Sequence, residues 1–367
     1  MPEHKRIQYI DTAKFLGLLL VVFMHGYKEG LAVSFAYSFH IPMFFFLNGM
    51  TFRPDNISAG DFLIKKIKGY LIPCIGLAIF CIGLDVLFKS LYDMPWDTVY
   101  VLNDISRAIS QVRFKSVWFL SALFFSDIFL FWIYHKCRKN IWLTGLGTLA
   151  LLGLGIFYNK FTRSTMVWNM DAAVFGTVFT YFGFLFTSKN LSFIYKPLIS
   201  RRWLSLLVGS VLMVATYFLH LYIRDTTFMP NLHMDMFASI YGNHALTLPC
   251  ALLGSIGFTV FCRGITNFIF AFPVKYNLVL LAIHQGFTFP IFRFAVAKEW
   301  WISVAYSQPE DPNFILFVLT MAAFSLASAV IFYYIIIVTP FSAMLLNKPR
   351  YPLFENIFKK ITQRVQK

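Results

Sequence analysis

Three ionisable side chains near the start of the chain could perform acid–base chemistry inside a membrane. Asp11, Lys14 and His25 lie in the otherwise apolar run 11–25. At about 100° per residue in an α-helix, His25 returns to within roughly 20° of Lys14, and Asp11 lies about 60° away. Ionisable groups within a membrane are costly and normally face a bundle interior or a wet cavity. The spacing therefore predicts that this helix lines a site.

His25 is the strongest candidate for a catalytic role. Histidine titrates near neutral pH, so it suits a general base that takes a proton from an attacking hydroxyl. Lys14 lies about 16 Å from His25 along the helix axis, at about 1.5 Å per residue. Asp11 and Lys14 are one helical turn apart, so they could form an ion pair that merely neutralises their charges. The alternative is that they take part in the reaction.

Other polar groups lie in later apolar runs and are candidate substrate-binding residues. An antiparallel second span would bring His40 near His25, where it could bind a hydroxyl, pass a proton or hydrogen-bond backbone freed by a nearby proline. Asn48 lies further along that span. His284 and Gln285 occupy the middle third of a late span and are the predicted partners of the first helix.

Charged groups elsewhere have two interpretations. Asp171 lies inside a span and indicates a wet interior, whereas Asp127 could also be a satisfied core carboxyl. Lys65 and Lys68 are three residues apart at a helix start and could hold phosphates as point charges. Retention of cations on the cytoplasmic side explains these lysines as well.

The elements that position these residues are membrane-spanning helices. The chain is 58% hydrophobic and 13% charged, with a mean hydropathy of +0.65, which predicts an all-α polytopic membrane protein with about ten spans in one bundle. Nine or eleven spans remain possible because the last run contains Pro340. The predicted spans are 9–27, 35–52, 69–90, 116–135, 141–158, 169–187, 203–222, 239–262, 276–297 and 313–346.

Charge asymmetry predicts the orientation of this bundle. With the N-terminus inside, the inner segments hold 21 of the 32 basic residues and the outer segments hold nine, so both termini are expected in the cytoplasm. The net charge of +15 is then mostly topological and requires no nucleic-acid partner. We expect a membrane domain over 1–346 and a basic amphipathic tail on the inner leaflet over 347–367.

Cysteine and loop content restrict the remaining possibilities. The five cysteines show no CxxC spacing and no clustered histidines nearby, which predicts neither a disulfide framework nor a metal site. The longer predicted outer loops are 91–115, 223–238 and 298–312. Chemistry is therefore expected within the bundle or at its mouths.

The combined pattern resembles the membrane-bound acyltransferase family 3, especially its bacterial polysaccharide and fucose O-acetylases. The shared features are a basic residue, ten intervening positions and a histidine in the first helix, followed by a span of the FHIP type. The fragments that carry the resemblance are IDTAKFLGLLLVVFMH (10–25), FHIPMFFFLNG (39–49), KKIKGYLIP (65–73), VWFLSALF (117–124), NMDAAVFGTVFTYFGF (169–184) and LLAIHQ (280–285).

This resemblance implies transfer of an acyl group, usually acetyl, from acetyl-CoA or another acyl-CoA to a hydroxyl of a cell-envelope glycan or lipid-linked sugar. His25 becomes the leading catalytic residue, with Lys14 and Asp11 in support. Lys65 and Lys68 would hold CoA phosphates, although lysine lacks the bidentate fork of arginine. The expected location is the bacterial cytoplasmic membrane. The expected substrate-binding residues are His40, Asn48, Trp118, Asp171, His284 and Gln285.

Two mechanistic routes and one different function remain open at this point. Acyl transfer could proceed by direct attack of the hydroxyl with His25 as base, or through a transient acyl-histidine. A transporter of a lipid-linked glycan would also contain about ten helices and a polar midplane. The sequence does not show the paired broken helices of inverted repeats that such a transporter would favour.

Overall fold

The computed structural model describes residues 7–27, 30–162, 164–226, 234–266 and 272–352. Across these residues the chain is helical, and nine helical segments, some of which join two neighbouring helices, are long and apolar enough to cross a membrane. The predicted all-α, polytopic fold class is confirmed. The predicted tail 347–367 lies largely outside the described residues, which end at 352.

The helices of the first half of the chain fall into two kinds, long apolar spans and short connecting segments. They are α1 Gln8–Gly26, α2 Leu31–Tyr37, α3 His40–Met50, α4 Ala59–Lys66, α5 Ile72–Leu91, α6 Thr98–Ser110, α7 Trp118–Lys136, α8 Ile141–Thr162 and α9 Met170–Phe186.

The second half contains further long spans and one interrupted helix. Its helices are α10 Ser192–Ser200, α11 Arg202–Thr226, α12 His244–Ile265, α13 Asn277–Ile283, α14 Phe289–Ile291, α15 Lys298–Val304, α16 Pro312–Val338 and α17 Ser342–Leu346. Three π-helical turns join neighbouring helices, at Ile67–Leu71, His284–Thr288 and Phe292–Val296.

The structure differs from the predicted spans at several places. The second predicted span corresponds to the candidate span Leu31–Met50, in which a turn at Ser38 and Phe39 separates α2 from α3. The last predicted run ends as a long helix at Val338, just before Pro340, because proline cannot donate the next helical hydrogen bond. The predicted span 169–187 is the shorter helix α9, in which 13 of 17 residues are buried.

The predicted outer loop 91–115 contains the amphipathic helix α6. The Asp97 carboxylate caps its start by accepting from the backbone N–H of Tyr100, at 2.7 Å. Asp104 is buried on one face, whereas Val99 and Ile109 are exposed on another. Asp104 thus turns inward although α6 lies in a predicted outer loop, a placement that mean hydropathy alone does not detect.

Helices α3 and α9 form the tightest helix pair near the site. A Cβ atom on Gly49 would lie 1.9 Å from the carbonyl oxygen of Thr180, and one on Gly183 would lie 1.9 Å from that of Phe46. Only glycine allows this approach of two backbones. In lipid, where apolar burial supplies little driving force between helices, such packing holds the bundle together.

Helix α1 connects the two main apolar clusters of the bundle. Ile10 and Ala13 belong to the cluster that α3, α7, α9 and α12 share. Leu18 and Val22 belong to the cluster formed with α5, α13 and α16. The polar face of α1 lies between these clusters and lines a cavity.

Candidate active site

A cavity of about 780 Å³ runs along the polar face of α1. Lys14 and His25 both line it, so it extends over about 16 Å of the helix axis. We call the end beside Lys14 the proximal end and the end beside His25 the distal end. The cavity is lined by seven of the residues predicted from sequence: Asp11, Lys14, His25, His40, Asn48, Trp118 and Gln285.

His25 contacts His284 in the wall of this cavity. The distance from His25 Nδ1 to His284 Nε2 is 2.9 Å, and the two rings are inclined by 9°. His284 is fully buried, whereas His25 is only partly buried and faces the cavity. The structure thus brings His284, one of the two predicted partners of the first helix, into contact with His25.

The hydrogen bonds of His284 fix the protonation pattern of both rings in their neutral forms. His284 Nδ1 lies 2.9 Å from the carbonyl oxygen of Leu280 and 3.0 Å from that of Leu281. Because a carbonyl only accepts, Nδ1 of His284 carries its proton and Nε2 accepts from His25 Nδ1–H. His25 Nε2 is therefore deprotonated, and it makes no hydrogen bond to any residue that the structure describes.

A π-helical turn positions His284. The turn His284–Thr288 follows α13, and Thr288 Oγ1 donates to the carbonyl oxygen of His284 at 3.0 Å. The turn directs His284 towards α1 while Gln285 and Gly286 line the cavity. Gln285 Oε1 accepts from the Ser116 hydroxyl at 3.3 Å. Such turns occur frequently at functional sites.

His40 lines the distal end with its orientation fixed by its own helix turn. Its Nδ1 donates to the carbonyl oxygen of Ala36 at 2.8 Å. The ring of Tyr37 lies between the two cavity histidines, 4.7 Å from His40 and 6.5 Å from His25 between centroids. The structure therefore places both histidines at one end of the cavity, as antiparallel pairing predicts.

Three lysines and one aspartate line the proximal end, namely Lys14, Lys275, Lys348 and Asp11. Asn277 donates to the backbone carbonyl of Lys14 at 3.0 Å, which joins the segment after Lys275 to α1. Lys275 Nζ donates to the Tyr334 hydroxyl at 3.2 Å, and Lys348 Nζ to that of Tyr333 at 2.9 Å. Sequence reasoning missed Lys275 and Lys348, because both read as ordinary cytoplasmic charges.

The structure does not bring Lys65 and Lys68 to the cavity. Both are exposed, and neither is among the residues that line it. Their neighbour Lys66 turns inward instead, with Nζ 2.5 Å from Asp127 Oδ2 and over the rings of Phe62 and Tyr70. Lys65 and Lys68 could contact a ligand that enters the proximal end only outside the cavity.

Asn48 lines the cavity and belongs to a buried polar network with Asp127 and Tyr70. Its amide donates to Asp127 Oδ1 at 2.7 Å, and its carbonyl oxygen accepts from Tyr70 at 2.9 Å. Asp127 is fully buried and is paired with Lys66. These contacts make Asp127 the satisfied core carboxyl, and they leave Asn48 and Tyr70 facing the cavity.

Arg113 is a distal residue that sequence reasoning missed. Its guanidinium pairs with Asp171, donates to Asn169 Oδ1 at 2.9 Å and to Ser239 Oγ at 2.6 Å, and lies 5.3 Å from the Trp118 ring. Arg113 lines the cavity, whereas Asp171 lies behind it and holds it in place. Asp171, which the sequence predicts to bind substrate, therefore contacts Arg113 and is not among the residues that line the cavity.

A second polar group completes the distal wall. Lys115 Nζ lies 3.8 Å from both Asp85 and Asp104, and Asp85 also accepts from Tyr100. Arg107 lies 3.9 Å from Asp104. Helix α6, which supplies three of these residues, therefore forms part of the site.

The backbone around this wall is strained. Positive φ angles occur at non-glycine residues Gln111 (50°), Arg113 (49°), Lys115 (42°), Asn169 (56°) and Ser239 (57°). Each such conformation costs on the order of 1–3 kcal/mol and persists where surrounding contacts enforce it. No sequence pattern reveals these angles, which explains why Arg113 and Lys115 escaped notice.

We found no cluster of three or more histidine, cysteine or acidic side chains suited to a metal ion among the described residues. His25 and His284 form a hydrogen-bonded pair of imidazoles, and imidazole can accept or release a proton near neutral pH.

Comparison with known proteins identifies the family. A family model described as an acyltransferase domain matches residues 7–334, which include His25, His284 and the distal wall. No curated protein and no solved structure matches the chain. The chain therefore belongs to the membrane-bound acyltransferase family 3 and is a multi-pass membrane acyltransferase.

Proposed function

We propose that the protein transfers an acyl group, expected to be acetyl, from acetyl-CoA to a hydroxyl of a glycan or lipid-linked sugar, with His25 as the general base. One observation carries this proposal. His25 faces a cavity, and its Nε2 makes no hydrogen bond to any described residue, while its Nδ1 lies 2.9 Å from His284 Nε2. This arrangement leaves a lone pair ready to accept a proton from a bound hydroxyl.

The proposed reaction is balanced within one site. His25 Nε2 takes the proton of the acceptor hydroxyl as its oxygen attacks the thioester carbonyl carbon. The new carbon–oxygen bond leaves the acceptor as an ester. The carbon–sulfur bond breaks, and the thiolate of CoA takes the proton from His25, which returns to its neutral form. His284 accepts from His25 Nδ1–H throughout, so it orients the base and stabilises the imidazolium that forms.

The proximal end is suited to the phosphates of the donor. Lys14, Lys275 and Lys348 present three ammonium groups, opposed there by the Asp11 carboxylate. Lysine binds phosphate as a point charge. A donor held at this end would span about 16 Å to reach His25. We assign the donor phosphates to these lysines in preference to Lys65 and Lys68, which are exposed outside the cavity.

The proposal extends to location in the membrane. We propose that the proximal end opens to the cytoplasm of a bacterial cell, that both termini lie on that side, and that the acceptor enters at the distal end. The excess of basic residues in the predicted inner segments supports this orientation. Under this arrangement, donor and acceptor approach His25 from opposite sides.

The test uses purified full-length protein with radiolabelled acetyl-CoA and a glycan extract from membranes that lack the protein. The His25→Ala variant should lose at least about a hundredfold in transfer rate, the usual contribution of a general base. His135→Ala is the matched control, because His135 lies outside the cavity and should change the rate less than about twofold. Near-normal transfer by folded His25→Ala would contradict the proposal.

The same preparation distinguishes the two mechanistic routes. Incubation with labelled acetyl-CoA alone, followed by a rapid quench, should leave no label on the protein if the acceptor attacks directly. Label that appears on wild type and is absent from His25→Ala would indicate an acyl-histidine instead.

A further inference from the structure

The short loop 234–241 contributes two side chains to the distal end that the proposed reaction does not use. Asp235 and Phe237 line the cavity. Met234 and Met236 are buried, with 4% and 2% of their surfaces exposed, whereas Phe237 is 40% exposed. The loop therefore turns its methionines into the core and presents an aromatic ring towards the open cavity.

This loop is held firmly against the distal wall. Asp235 and Ile240 exchange two backbone hydrogen bonds, of 2.7 and 2.9 Å. The Ser239 hydroxyl contacts both Arg113 and Asp171. The backbone carbonyl oxygen of Ser239 accepts a hydrogen bond from the Asn159 side-chain amide at 2.9 Å. Asp235 and Phe237 are consequently presented on a fixed backbone, as a preorganised binding site requires.

Asp235 differs from the other carboxylates of the distal end. Its Oδ1 accepts from the backbone N–H groups of Phe237 and Ala238, at 2.8 and 3.3 Å. Its Oδ2 makes no hydrogen bond, and the carboxylate makes no ion pair, with any residue that the structure describes. Asp235 also interacts electrostatically with His25, which places it in the neighbourhood of the base.

The charge of the distal end is balanced. Among the described residues, the charged side chains that line it, taken with their ion-pair partners, comprise four cations and four carboxylates. They are Lys89, Arg107, Arg113, Lys115, Asp85, Asp104, Asp171 and Asp235. An anionic ligand would meet no excess of positive charge among the described residues and would approach the carboxylate of Asp235, which repels it.

An uncharged sugar ring fits the same surface. Its hydroxyls would donate to Asp235 Oδ2, because an ionised carboxylate only accepts. Its apolar face would pack on Phe237, whose ring lies 5.7 Å from that of Trp118 at an interplanar angle of 68°. Ligand sites commonly combine apolar and aromatic walls with a few placed polar groups of this kind.

We propose that Asp235 and Phe237 form the subsite for the reacting sugar ring of the acceptor, and that Asp235 selects an uncharged ring over one that bears a carboxylate or phosphate. This inference rests on the proposed acyl transfer to a glycan. It adds the charge class of the acceptor ring and names the residue that determines it.

The experiment identifies which sugar receives the label. Wild-type protein is incubated with radiolabelled acetyl-CoA and the membrane glycan extract, and the acetylated monosaccharides are separated into neutral and acidic fractions and identified by mass spectrometry. We expect the label on neutral sugars. Label carried mainly by a uronic acid or phosphorylated sugar would overturn the inference, and absence of label in every glycan would overturn the proposed function instead.

The Asp235→Asn variant tests the residue itself. Asparagine keeps Oδ1 for the loop and removes the charge, so the ratio of acidic to neutral labelled sugar should rise about tenfold while the KM for acetyl-CoA changes less than about twofold. Asp225→Asn is the control, because Asp225 is exposed and pairs with its neighbour Arg224. An unchanged ratio in Asp235→Asn would overturn the inference.

Phe237→Ala provides a second measurement that does not depend on the loop hydrogen bonds. Its ring is partly exposed, and the backbone N–H that contacts Asp235 remains. We expect the KM for the glycan acceptor to rise about tenfold with little change in the KM for acetyl-CoA. An acceptor KM equal to that of wild type would remove Phe237 from the subsite.

Discussion

The two ends of the cavity differ in how their charges are arranged. Among the described residues that line the proximal end, three lysines face one aspartate, so their summed charge is positive. At the distal end, cations and carboxylates balance and most of them form ion pairs. An excess of ammonium groups suits a polyanion, whereas paired and partly buried charges form fixed hydrogen-bonding walls. One cavity thus offers two chemically distinct binding environments on either side of His25.

The two ends also differ in their backbone. Gln111, Arg113 and Lys115 all have positive φ angles at the distal end, and Asn169 and Ser239 join them there. At the proximal end Asn347, beside Lys348, has such an angle. The distal wall therefore depends on contacts that enforce an unfavourable backbone, and it should be the more sensitive of the two ends to loss of an ion pair.

The largest expected effect is on stability, at the distal end. Asp171→Ala leaves the buried guanidinium of Arg113 without its carboxylate and should lower the free energy of unfolding by about 3–5 kcal/mol. Thermal unfolding of the purified protein in detergent measures this change. Asp225→Ala breaks an exposed pair and should cost no more than about 1 kcal/mol. Equal losses in the two variants would contradict the distinction between buried and exposed pairs.

The next effect is on donor binding, at the proximal end. The Lys275→Ala, Lys348→Ala double variant removes two of the three ammonium groups and should raise the KM for acetyl-CoA about tenfold, equivalent to roughly 1.4 kcal/mol. The matched control is Lys65→Ala, Lys68→Ala, which removes two exposed lysines outside the cavity and should change this KM less than about twofold. The reverse result would return the donor site to Lys65 and Lys68.

The smallest effect is a difference in salt dependence. Because screening weakens interactions between accessible charges, raising ionic strength from about 0.05 to 0.5 M should increase the KM for acetyl-CoA several-fold. The KM for an uncharged glycan acceptor should change little, because an uncharged ligand has no charge–charge attraction that salt could screen. Initial rates over a salt series measure both constants. A parallel rise in the two constants would contradict the separation of a charged donor end from a balanced acceptor end.

The sequence predicts the helices and the polar face of α1 because both depend on short-range periodicity. The spacing of Lys14 and His25 identifies one wall of the cavity, and the intramembrane cost of polar side chains predicts His284 and Gln285 as partners of the first helix. Each of these inferences depends only on residues within a single helix and on one physical rule. The fold class and the His25–His284 contact follow from them.

Other features depend on geometry that the sequence does not encode locally. Among the neighbours Lys65, Lys66 and Lys68, packing and the π-helical turn Ile67–Leu71 determine which one faces Asp127. Arg113 lies in a loop, and it reaches the cavity through a left-handed backbone and contacts with residues far along the chain. The sequence position of Asp171 predicts a substrate-binding residue, whereas in the structure its carboxylate pairs with Arg113.

The π-helical turn at His284–Thr288 also affects how this site could change during evolution. A π-helical turn accommodates one additional residue, and one residue corresponds to about 100° of helical rotation. The residues before and after the turn are therefore offset in phase. Deleting a single residue within 284–288 would still allow a continuous helix. It would, however, rotate the part after the turn relative to the part before it, so that Phe289 and Phe292 would no longer point in their present directions relative to His284. The register of this helix, and not only the identity of its histidine, is therefore a property that selection must maintain.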